Sequence, residues 1–220
     1  MAQQRARQGT HRISLDGDWT LFDLGAFSRV YTQVYSVLYV LDDDLIPLDD
    51  SPVGEFGSVS HVFRAFPWRG GYSAVNFYNS VRVRVPPSRR PSVRSIRYAS
   101  PGVLELALIV PVATSIAAIV YSFATSAKHL HSLYHDIRKG MRERELMQIN
   151  VKRADLALRR DQRDFAREST DQLADLMGLE QVDRLRLLTG HEVAELKILL
   201  SLFRRFQQLR KIEEEGRVKF

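Results

Sequence analysis

Residues 106–127 form an uncharged window of 22 residues, and a long, densely charged region follows at once. A stretch of that length and apolarity is what a helix needs to cross the hydrocarbon core of a bilayer. It equally suits a helix buried inside an oligomer. Leu106, Ile109, Pro111, Ala113, Ala117, Ile119 and Tyr121 mark the single helix that the window predicts. Pro111, placed inside it, would remove one backbone hydrogen bond and kink it. Ala113, Ala117, Ala118 and Ser122 recur at helical spacing and permit close helix contacts in either setting. The interior proline, the hydroxyls of Thr114, Ser115, Ser122, Thr125 and Ser126, and the lack of a second such window favour burial in protein. Basic residues flank the window on both sides, so the positive-inside rule does not orient it.

Charge is the next constraint. The chain carries a net charge of +6 with a pI near 9.7. That points to an anionic partner: an acidic protein, a lipid surface or a nucleic acid. The charge is blocky. Residues 56–104 hold eight arginines and no acid, while Asp42, Asp43, Asp44, Asp49, Asp50 and Glu55 lie just before them. Arg82, Arg84, Arg89, Arg90, Arg94 and Arg97 are the candidate anion-binding residues. Trp68, Tyr72, Phe77, Tyr78 and Tyr98 interleave with the arginines of residues 64–97. Arginine mixed with aromatics is how single-stranded nucleic acid is often held. Acidic lipid or protein would attract the same charges. In the bland alternative the arginines neutralise the acidic run and the aromatics are core.

The pattern of residues predicts a mostly helical α+β chain. Residues 13–21, 58–66 and 93–99 read as strands, the last with Val93, Ser95 and Arg97 on one face and Arg94, Ile96 and Tyr98 on the other. Residues 25–41 read as a helix from their three- and four-residue apolar steps, and residues 72–81 as a short helix in preference to an extended aromatic segment. Three aspartates at the end of the first helix oppose its macrodipole, so a basic group should compensate them. A basic arm over residues 1–12, a small α+β domain over 13–100, the hydrophobic helix over 101–127 and a charged helical region over 128–220 make up the expected layout. Pro67 to Gly71 reads as a turn, and residues 47–57 as a loop. Ser100 and Pro101 would open the hydrophobic helix. Beyond it, Leu130, Leu133, Tyr134, Ile137 and Met141 form one stripe, with Gly140 as a bend. Charges of both signs then predict an exposed or coiled-coil-like helix. Gly178 stops it, a short helix over 179–188 follows, and Thr189 with Glu192 forms a capping box for the last helix, which Gly216 ends.

No enzyme signature is present: no GxxxxGKS/T, no GxGxxG and no GxSxG. Cysteine is absent, which removes thiolate chemistry and thiolate metal sites. His131 and His135 share a helical face, but no glutamate follows His131 as a zinc-protease motif requires. The acidic run lacks the spacing and central glycine of a calcium loop, and could instead meet arginines of another subunit. The residues 185–206 depart from a DNA-reading helix-turn-helix, because their basic side chains lie near the wrong end of the second helix. No cofactor and no metal is expected. A secretory signal needs an apolar core after its basic start, and MAQQRARQGTHR has none, so the expected location is the cytoplasm or the inner membrane.

The segment SIRYASPGVLEL, residues 95–106, resembles small bacterial proteins that carry a strand, a Ser-Pro-Gly sequence and a long hydrophobic helix followed by charged helices. The resemblance implies a bacterial origin and membrane association. It names no activity and no site residue. The expected function is a non-enzymatic, oligomer-forming interaction protein, in its sharper form a membrane-associated effector or scaffold. The alternative is a soluble nucleic-acid-binding protein using residues 64–97.

Overall fold

The apolar window divides between two elements in the computed structural model, which describes residues 8–46, 59–66, 68, 71–99, 101–149 and 158–220. Its first part belongs to a strand, Gly102–Ile109, and its second to a helix, Val110–Thr125. The single helix expected over 106–127 is thereby corrected. A continuous apolar run looks the same in a buried strand and a buried helix, and here Pro111 decides the break. It sits in the first turn of the helix, where its missing N–H costs nothing. It therefore starts the helix and does not kink it. Leu106 and Ile109 are buried strand residues, Ala113 and Ile119 are buried on the helix, and Pro111 and Tyr121 are exposed on its outer side. Among the described residues no single helix is long and apolar enough to cross a membrane. This helix and the next, Ala127–Glu143, reach that length and composition only as a pair, and a 90° bend separates them.

In chain order the elements are β1 Gln8–Leu15, α1 Leu21–Leu41, α2 Val59–Arg64, α3 Gly71–Arg84, β2 Ser92–Arg97, β3 Gly102–Ile109, α4 Val110–Thr125, α5 Ala127–Glu143, α6 Arg160–Met177, α7 Val182–Thr189, α8 Glu192–Glu214 and β4 Val218–Lys219. The fold is α+β and mostly helical, with one antiparallel sheet of order β2-β3-β1-β4. β1 and β3 pair from Gln8↔Ile109 to Leu15↔Gly102. On this register Ile13 and Leu104 face the helices together, while Arg12 and Glu105 face outward together. The N-terminal strand thus ends at Leu15, not at residue 21, and residues 8–12 lie in it. Thr20 and Asp23 form a capping box that starts α1 at Leu21, four residues before the expected start.

Buried residues from Ile13 to Val218 form one cluster. α8 runs through it. Its residues 193–203 are buried on every side, as expected for a helix enclosed by others. It packs on α6, α4, α1 and α7. Gly178 and Gly216 both end helices at positive φ, 71° each. The expected capping box of α8 does not form. Thr189 lies in the last turn of α7, where its hydroxyl donates to Leu185 O, and His191 takes the N-cap position without a side-chain bond. The strand expected over 58–66 is the helix α2, whose buried Val62 and Phe63 fit either period in so short a run. Arg64 from α2 donates to the carbonyls of Leu187 and Leu188 at the end of α7, the favoured place for a cation. Gly140 lies within α5, and a Cβ there would sit 2.5 Å from the Phe165 ring of α6, so close helix packing accounts for the glycine.

Gly102 joins β2 to β3. A Cβ at this position would lie 2.6 Å from Arg97 O and 3.0 Å from Ala99 O. Backbone atoms cannot step aside as a side-chain tip can. Gly102→Ala should therefore destabilise the protein by roughly 2 kcal/mol. Urea unfolding measures it, and a loss under about 0.5 kcal/mol would show that the turn adapts freely.

Candidate functional site

β2 is the outermost strand, hydrogen-bonded to β3 on one side and to no strand on the other among the described residues. Its register contains a bulge: Val93 pairs with Leu106, but Ser95 pairs with Glu105. Arg94 is the extra residue. The bulge inverts the alternation read from the sequence. Val93 falls on the helix-side face with Ile96, and Ser95 and Arg97 fall on the outer face. α4 packs against β1 and β3. Val93 and Ile96 remain 62% and 48% exposed, so this edge offers apolar side chains as well as unpaired main-chain groups.

The outer face is basic. Arg12 Nε donates to Glu105 Oε1 at 2.8 Å, Ser95 Oγ donates to Glu105 Oε2 at 3.0 Å, and Arg97 Nη2 lies 3.9 Å from Glu105 Oε1. The Ser95 hydroxyl and Arg12 hold the Glu105 carboxyl below the usual carboxylate range. Arg94 crosses β3 to donate to Thr10 Oγ1 at 2.8 Å. Lys219 stands on β4 opposite Ser14. Arg12 and Arg97 thus flank one carboxylate, Arg94 and Lys219 lie on the same face of the sheet, and the three arginines and the lysine are exposed.

The six arginines singled out in the sequence belong to two places. Arg94 and Arg97 lie on this sheet edge. Arg82 and Arg84 end α3, and Arg89 and Arg90 lie in the turn that follows. Arg90 is occupied there: Nε donates to Val85 O at 2.9 Å and Nη2 to Val83 O at 3.3 Å. The carbonyl of Arg89 accepts from the Tyr35 hydroxyl, which in turn accepts the N–H of Ile109. Burial pulls the Arg84 guanidinium below its ordinary value. Of the interleaved aromatics, Trp68, Phe77 and Tyr78 are core, whereas Tyr72 and Tyr98 are exposed. Arg12 and Lys219 could not be found from the sequence, because only strand pairing puts residues 12, 97 and 219 in one sheet.

The remaining candidates resolve individually. Arg184 of α7 answers the acidic run at the end of α1. Its Nε donates to Val40 O, its Nη2 bonds Ile46 O and its Nη1 pairs with Asp43. Asp49, Asp50 and Glu55 lie outside the described residues, as do residues 1–7, the loop over 47–57, most of the turn over 67–70, and Ser100. His131 and His135 stack at 5.5 Å, and His131 contacts Gln207. No group of three metal-ligating side chains occurs among the described residues. No protein-family model, curated protein or solved structure matches this chain.

Proposed function

We propose that this chain is an interaction protein whose open β2 edge receives an extended acidic segment of a partner protein. The observation that carries this reading is the combination of a strand edge with no partner strand among the described residues, exposed Val93 and Ile96 along it, and the outer-face cations Arg94 and Arg97 with Arg12 of β1 beyond them. A segment added along β2 would gain main-chain hydrogen bonds. Alternate side chains of that segment would meet the apolar face and the arginines in turn. A second copy is a poor occupant. Pairing β2 with β2 about a two-fold axis sets Arg94 and Arg97 of both copies side by side, and like charges across strands are unfavourable. The bulge and the arginines thus act as devices against self-pairing. Nucleic acid is less well served, because Trp68, Phe77 and Tyr78 are buried and only Tyr72 and Tyr98 of these rings are open to a base.

The test uses a fluorescent hexapeptide that alternates valine with aspartate or glutamate. The parent protein should bind it, more weakly as salt rises. Arg94→Glu with Arg97→Glu should weaken binding at least about tenfold, about 1.4 kcal/mol, with the melting temperature unchanged. Proline substituted into the peptide should do the same by removing main-chain donors. Equal binding by the charge-reversed protein, or tighter binding of a single-stranded oligonucleotide to the parent, would overturn the reading.

A further inference from the structure

A second feature lies away from the sheet. α5 presents Tyr134, Arg138 and Met141 at helical spacing, and α8 presents Lys197, Leu200 and Arg204 in the same way. With Trp68, Ala74 and Met147 they line a cleft of about 180 Å³. Three of these nine lining residues are cations and none is an acid.

The cations differ in their duties. Lys197 is nearly buried, and its Nζ donates to the carbonyls of Trp68, Met147 and Ile149 at 3.0–3.3 Å. It fastens the wall of the cleft. Arg138 leans over Tyr134, with Nη1 3.3 Å from the phenolic oxygen. Arg204 is exposed and makes no ion pair among the described residues, and Arg138 likewise has none. Two guanidinium forks therefore stand beside an aromatic wall without a carboxylate paired to them among the described residues.

Trp68 supplies an independent observation. Its φ is 51°, rare for a bulky side chain. Its side chain is buried at 6% exposure, yet the indole N–H has no acceptor among the described residues. An unsatisfied buried donor calls for an explanation, and a strained residue held in place by its surroundings is a recognised mark of a ligand site.

From this geometry we infer that the cleft between α5 and α8 binds a small organic anion, a phosphate ester or carboxylate carried on one apolar ring. The ring packs against Tyr134, Met141 and Trp68. The anion takes the forks of Arg138 and Arg204, which suit planar or tetrahedral oxyanions. The site is separate from the sheet edge and does not depend on the role proposed for it.

The chain contains two tryptophans, so Trp19→Phe leaves Trp68 as the sole reporter. Phenyl phosphate and benzoate are titrated against its emission, with inorganic phosphate and benzyl alcohol as controls. At least one of the aromatic anions should give a saturable change, inorganic phosphate a weaker one and the neutral alcohol none. Arg138→Gln and Arg204→Gln should each weaken binding about tenfold, equivalent to about 1.4 kcal/mol, without changing the melting temperature of the free protein. The Arg94→Glu, Arg97→Glu variant should bind the same anions as the parent, which separates this site from the sheet edge. No change in emission or melting temperature with either aromatic anion at about 10 mM, weaker than any useful affinity, would overturn the inference. So would binding that survives both arginine substitutions.

Discussion

Arg184→Met is expected to destabilise the protein by about 3 kcal/mol, the scale of losing a buried, hydrogen-bonded cation. The arginine lies on α7 at 4% exposure. It bonds the carbonyl of Val40 in the last turn of α1 and that of Ile46 in the turn beyond it, and pairs with Asp43. These groups lie about 140 residues away along the chain, so the side chain fixes α7 to the end of α1 and the turn after it. Helix C-termini leave carbonyls without partners, and the methionine stem fills the same space without a donor. Asp43 is different, since its side chain is 70% exposed. Water can replace its partner, and Asp43→Asn should cost under about 1 kcal/mol. Urea unfolding of both variants gives the ordering. If Asp43→Asn costs as much as Arg184→Met, the ion pair and not the carbonyl anchor holds this junction. Arg184→Lys should recover little, because one ammonium cannot reproduce the fork to two carbonyls and a carboxylate.

That anchor shows where the sequence was legible. Three aspartates ending a helix demand a cation, and this was readable from local electrostatics. Which cation could not be read, because the answer lies on a different helix. The same division runs through the fold. The helices α1, α5 and α8 follow from three- and four-residue apolar steps, and the stops at Gly178 and Gly216 from backbone chemistry. β3 was hidden because GVLELALI is buried nearly throughout its length and runs without a charged break into α4. Its pairing with residues 92–97 and with residues 8–15 makes it a strand, and the second contact spans about 90 residues. α2 was misread because six residues contain too few periods to separate helix from strand.

The candidate interface was half visible for a related reason. A run of arginines without acids is a sequence feature, but its division between the α3 terminus and the β2 edge is a feature of the chain path. The bulge at Arg94 adds one residue and so reverses the faces assigned by strict alternation. Glu105, the acid at the centre of the basic surface, sits inside the apolar run on the next strand. The cleft between α5 and α8 left even less trace, since Tyr134 and Met141 read only as core stripe and Lys197 and Arg204 as ordinary charges of a helix.

Glu195 supports the second large prediction: stability should fall as pH rises from about 4.5 to about 7, and Glu195→Gln should abolish that component. The residue lies on α8 at 1% exposure, with Oε1 3.4 Å from Arg186 Nη2. Arg186 is shared with Asp171 at 2.5 Å and Asp183 at 2.8 Å. Burial raises the Glu195 carboxyl from 4.5 to about 7; Arg186 opposes that rise, while Asp171 and Glu192 add to it. Between these two values the unfolded chain has released the proton and the folded chain still holds it. The folded state then binds more protons, so its stability declines with increasing pH. The contribution is complete below 4.5 and lost above about 7. At about 1.4 kcal/mol per pH unit, the difference approaches roughly 3 kcal/mol. Glutamine has the same shape and no proton to lose. Above pH 7 it should therefore be more stable than the parent by up to that amount, and near pH 4.5 about equal. His11 and His191 act in the opposite sense. Burial lowers both imidazoles, so their contribution grows as pH rises through the ordinary histidine range. Both are present in parent and variant, so the difference between the two unfolding curves isolates Glu195. A difference that stays constant from pH 5 to pH 8 would mean that Glu195 is ionised in the folded protein throughout, held by Arg186 more strongly than burial opposes it.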